Sequence, residues 1–163
     1  MRYDKQKGWF YNQHSCFLLQ YHLIFVTKYR HPVLTGEVKE FVYSYLKEKM
    51  EAYGLNVMAM NGEPDHVHIL FEAPPNIELA KMINALKTGS SRMTRKNFPE
   101  QLAPYYWKPV FWSMSYFICT DSDRNAEAVR RYIQDQDRRS ARTYLSGLER
   151  AAIHPRLNGE LSS

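Results

Sequence analysis

The chain has 163 residues, 44% of them hydrophobic, enough for one domain with one core. Its net charge of +5 and its pI of about 9.2 allow a polyanionic partner without requiring one. No apolar run approaches the roughly 20 residues that a bilayer span needs, and Met1 to Ser15 carries no apolar leader, which argues against a membrane or secreted protein and for the cytoplasm.

Met1 to Ser15 reads as an N-terminal arm, mobile at its tip. Phe17 to Lys28 is the first strand, and Tyr29-Arg30-His31-Pro32 ends it because proline cannot donate to a ladder. Gly36 to Tyr53 is a helix: Val38, Phe41, Val42, Tyr45, Leu46 and Met50 recur at helical spacing, and Gly54 follows as a stop. Leu55 to Met60 is a second strand, Asn61-Gly62-Glu63-Pro64 a turn, and Asp65 to Glu72 a third strand. Asn76 can cap a second helix over Ile77 to Phe98, which Gly89-Ser90-Ser91 weakens in the middle.

Pro99 to Pro109 reads as a loop and Val110 to Thr120 as a fourth strand. Asp121 to Asn125 caps a last helix over Ala126 to Arg139, and Ser140 to Ser163 is a tail, weakly helical at most. The order β-α-β-β-α-β plus one helix is the α+β, ferredoxin-like pattern of an antiparallel sheet. It places His66 and His68 on an inner strand of a domain spanning 16–139, between an arm (1–15) and a tail (140–163). Cys16 and Cys119 fit no metal or redox spacing and read as free thiols.

His66 and His68 stand at i and i+2 in a strand, so their imidazoles share a face. A single strand histidine is usually a hydrogen-bonded structural residue; two on one face can also hold a divalent metal. Tyr132 and Gln136 stand at i and i+4, on one face of a helix and roughly 6 Å apart along its axis. Tyr132 reads either as an aromatic packed on the sheet or as a nucleophile, and an amide oxygen from Gln136 would complete the metal's ligands. A phenol is a weak nucleophile at neutral pH unless a metal or base favours its ionisation, so the nucleophilic reading needs that metal. Together the four residues point to covalent chemistry on a phosphodiester.

Residues 81–96 hold five basic side chains and no acid. Lys87, Arg92 and Arg95, with Ser90 and Ser91, can line one helix face and grip phosphates, the alternative being a solvated face. Lys28, Tyr29 and Arg30 form a second basic group, in which the tyrosine can stack on a base.

These residues resemble the small tyrosine transposases of the IS200/IS605 type, in the HUH endonuclease superfamily. Five segments in order carry the likeness: Tyr21 to Arg30, Pro64 to Leu70, Leu86 to Arg92, Trp112 to Phe117 and Arg131 to Gln136. The resemblance implies that 16–139 is a catalytic domain that nicks and rejoins single-stranded DNA beside a subterminal hairpin. It implies Tyr132 as nucleophile, keeping a 5′-phosphotyrosine link, and His66, His68 and Gln136 as ligands of Mg²⁺ or Mn²⁺. It also implies a homodimer in which the tyrosine helix often completes the partner's site.

Three other readings compete. Domesticated relatives that process palindromic repeats share the same segments. A non-catalytic module binding single-stranded RNA or DNA is a second alternative, although the central strand carries histidines where such modules carry aromatics. A structural dimer with an incidental metal site is a third.

Overall fold

The computed structural model describes residues 4–121 and 131–134. Asp4–Gln6 (β1), Trp9–Tyr11 (β2) and Cys16–Phe17 (β3) pair antiparallel into a small sheet. The segment expected as an arm is therefore ordered from Asp4 onward. The reason is local: Lys7 and Gly8 both adopt positive φ (50° and 87°), as a two-residue hairpin matched to strand twist requires. Phe10 and Phe17 bury against each other, with ring centroids 5.7 Å apart. Lys5 ties this sheet to the main body by bonding Glu72, whose carboxylate also accepts from Gln20 and Asn56.

The main sheet contains Gln20–Val26 (β4), Asn56–Glu63 (β5), His66–Glu72 (β6) and Phe117–Thr120 (β7), in the order β5-β6-β4-β7. Every pairing is antiparallel, which with the connecting helices gives the ferredoxin-like arrangement. β6 is internal, as the sequence pattern requires of the histidine strand. β5 runs on to Glu63, so the connection shrinks to Pro64 and Asp65. Gly62 permits that closeness: a Cβ there would lie 2.2 Å from the carbonyl oxygen of His66.

Gly36–Ala52 (α1) and Leu79–Asn97 (α2) cover one face of the sheet. α1 stops where expected, because Gly54 takes φ 83° and Leu55 N–H closes back onto the Met50 carbonyl. α2 starts two residues later than predicted, with Glu78 rather than Asn76 at its N-cap. It is also unbroken at Gly89. The missing side chain there makes room for the Tyr45 hydroxyl, which a Cβ would approach to 2.3 Å. Leu23 and Phe25 of β4, Val67, Ile69 and Phe71 of β6, and the apolar stripes of both helices form the main core.

The expected fourth strand pairs only over its last four residues, beyond one isolated bridge from Trp112 to Thr27. Upstream the chain folds Pro99–Leu102 (α3) and then crosses the sheet end. Trp112 donates its indole N–H to Ser90 at 2.9 Å, and Lys87 takes the carbonyls of Ser113, Met114 and Ser115, which withholds them from a ladder. Of the expected last helix only 131–134 lies within the described residues, and it is helical.

Candidate active site

The second face of the sheet carries the site. Alternation sends His22, Ile24 and Val26 of β4 to the same side as His66 and His68 of β6, because Val26 pairs with His66 and Ile24 with His68. Ile24 and Val26 are buried there under Phe117, Cys119, Tyr132 and Ile133. The Tyr132 and Phe117 rings lie 4.9 Å apart, tilted by 32°. Phe117, Ile24 and His68 form one row across three strands, so Phe117, on which the tyrosine ring packs, stands about two strand spacings, roughly 10 Å, from His68. Tyr132 thus packs on the sheet, as its bland reading held, and it does so on the histidine face.

Each histidine has a polar partner. His66 is 8% exposed, and its Nδ1–H donates to Asp65 Oδ1 at 2.8 Å, which in the neutral ring makes Nε2 the nitrogen that carries the lone pair. Burial alone would raise the Asp65 pKa. Its hydrogen bonds from His66 and Arg30, with the Arg30 charge, outweigh that and hold it below the ordinary carboxylate value. Arg30 reaches Asp65 Oδ2 with Nε at 2.8 Å and Nη2 at 2.7 Å. His68 Nε2 meets His22 Nδ1 at 2.7 Å, and His22 Nε2 meets Asp121 Oδ1 at 2.7 Å. Burial, then the charges of His22 and His66, lower the His68 pKa, which favours the neutral imidazole that a metal needs.

The tyrosine hydroxyl stands 3.4 Å from Ser115 Oγ. Lys87 fixes that stretch of chain: its Nζ donates to the carbonyls of Ser113, Met114 and Ser115 at 2.7, 2.8 and 3.2 Å. Burial and the charge of Lys28 lower its pKa to about 8. Arg92 is exposed, and Arg95 bonds Ser91 Oγ at 3.5 Å. Lys28 lies over the Tyr29 ring at 5.3 Å. Ser90 is fully buried, bonded to Leu86 O and Trp112, so the structure places it in the packing of α2 and not on a phosphate-facing surface. Gln136 lies outside the described residues.

Two imidazoles with free or neutral nitrogens suit a divalent ion, and no set of three His, Cys, Asp or Glu ligands occurs among the described residues. His22, Asp65 and Asp121 escaped the reading of the sequence. Strand alternation alone would have put His22 on the face of Ile24, whereas its meeting with His68 depends on register between strands far apart in sequence.

Comparisons with known proteins point to one family. The profile of the family described as "Transposase IS200 like" matches residues 15–136. The ISDra2 transposase TnpA of Deinococcus radiodurans is 38% identical over 118 residues, covering 72% of this chain and 84% of that protein. The transposase for insertion sequence element IS200 of Salmonella typhimurium is 29% identical over 123 residues, covering 76% and 80%. A crystal structure assigned to a transposase from Deinococcus radiodurans R1 superposes with a TM-score of 0.70 at 33% identity, covering 77% of this chain and 96% of that one.

Proposed function

The chain belongs to the IS200-like transposase family, and from that premise we propose that it nicks and rejoins single-stranded DNA at hairpin-marked element ends through a tyrosine-linked intermediate. The observation that carries this reading is the presence of Tyr132, His66 and His68 on one face of the sheet.

In the proposed step the Tyr132 oxygen attacks the scissile phosphorus and its phenol gives up a proton. The bond from phosphorus to the 3′ oxygen breaks, and that oxygen takes a proton to leave as a 3′-hydroxyl. Tyr132 retains the 5′-phosphate. The ester conserves the energy of the broken bond, so a second 3′-hydroxyl can reverse the step without a nucleotide cofactor. His66 and His68, with Gln136, would hold Mg²⁺ or Mn²⁺. The chemistry such an ion supplies is polarisation of a phosphate oxygen. Lys28, Tyr29, Arg92 and Arg95 would grip the strand. The working unit would be a homodimer with the tyrosine segment supplied by either copy.

Incubation of a labelled single strand bearing the element end with the protein and Mn²⁺ tests the proposal. A slower, protease-sensitive adduct is expected, absent with duplex DNA and absent for Tyr132→Phe. An undiminished adduct from Tyr132→Phe overturns it.

A further inference from the structure

Resting on the reading just given, we propose that Arg30 is a positioning residue that joins the tyrosine segment to the histidine strand. One guanidinium touches both. Its Nη1 donates to the carbonyl of Ile133, the residue after Tyr132, at 2.5 Å. Its Nε and Nη2 converge on Asp65 Oδ2 at 2.8 and 2.7 Å. The other oxygen of Asp65 accepts from His66 Nδ1 at 2.8 Å. A continuous chain of charge-assisted bonds thus runs from the backbone beside the nucleophile to the ring of the first histidine.

The backbone is built to aim that side chain. Tyr29 and Arg30 both take the left-handed conformation, at φ 58° and 53°, which side chains with a Cβ avoid. The turn is held open from several sides. Thr27 Oγ1 donates to the His31 carbonyl at 2.7 Å, Lys28 N–H donates to the Phe111 carbonyl at 2.8 Å, and the Tyr106 hydroxyl donates to the Lys28 carbonyl at 2.9 Å. Strain retained against such cost marks a residue whose placement matters. The Arg30 side chain is 12% exposed, more in keeping with an internal clasp than with an outward phosphate contact. Only the planar fork of arginine serves both acceptors; a lysine places one point charge.

Arg30→Ala and Arg30→Lys, in the full chain, test this. At saturating single strand the cleavage rate of both should fall by about 10²-fold, while the dissociation constant for the hairpin strand moves less than about threefold. Mn²⁺ affinity should weaken by about tenfold or more, as it does when a group behind a ligating imidazole is lost. Amide exchange over 131–134 in the metal-free protein should quicken. Methylguanidinium should restore cleavage to Arg30→Ala. Lysine acting as well as arginine, or weaker DNA binding with an unchanged rate at saturation, overturns the proposal. So does a metal affinity and amide exchange equal to wild type. Failure of the wild-type chain to form any adduct would sink the proposed function, while metal affinity and amide exchange would still decide the role of Arg30.

Discussion

His68 shows what burial does to one imidazole. Desolvation, with His22 and His66 nearby, lowers its pKa in the fold, so the unfolded chain binds the proton more readily. The stability this group contributes is present above the ordinary value of 6.5 and falls as pH drops below it through the folded value. For the same reason Mn²⁺, followed by electron paramagnetic resonance, should meet less proton competition at His68 than at an ordinary imidazole. Lys87 behaves differently. With a pKa of about 8 it loses its charge, and with it part of its hold on three carbonyls, just above neutral pH. Cleavage should therefore decline on an alkaline limb near pH 8, and Lys87→Met should lower the rate about tenfold and abolish that limb. At this scale the shared face of His66 and His68 and the packing of Tyr132 on the sheet were legible. Ser90 was not: adjacent helix residues cannot share a face, and Ser90 follows Leu86 and precedes Thr94 on the buried stripe.

The elements follow from local pattern until a long-range bond diverts them. Both long helices and the histidine strand were legible from periodicity. The residues before Phe117 have strand-like composition, yet Lys87 takes three of their carbonyls, which no local pattern could disclose. Gly62 is the tightest point of the hairpin that presents the histidines. Gly62→Ala would drive a Cβ into the His66 carbonyl and should cost ~2–4 kcal/mol, lowering the melting temperature by about 4–16 °C in a thermal scan.

The whole molecule divides its two sheet faces between stability and chemistry. One face lies under α1 and α2; the other is closed by a small apolar cluster and a polar network. Exposed cations on α2, with the half-buried Lys28 just after β4, would supply the proposed hold on DNA, so binding should weaken with salt. Arg92→Ala should reduce the slope of log K against log salt by about 0.7, measured by fluorescence anisotropy of a labelled single strand. The ferredoxin-like topology was legible in the order of elements, and the family in five short segments. The second face was not, since it exists only once β4, β6 and β7 are in register.

Cys119 shares its apolar patch with Tyr132 and Ile133, and its thiol is only partly accessible. The patch therefore contains its own clock. In a Cys16→Ser background, the pace at which a maleimide captures the remaining sulfur would time how often the phenol-bearing turn lifts away, and a strand that draws that turn outward should hasten the capture.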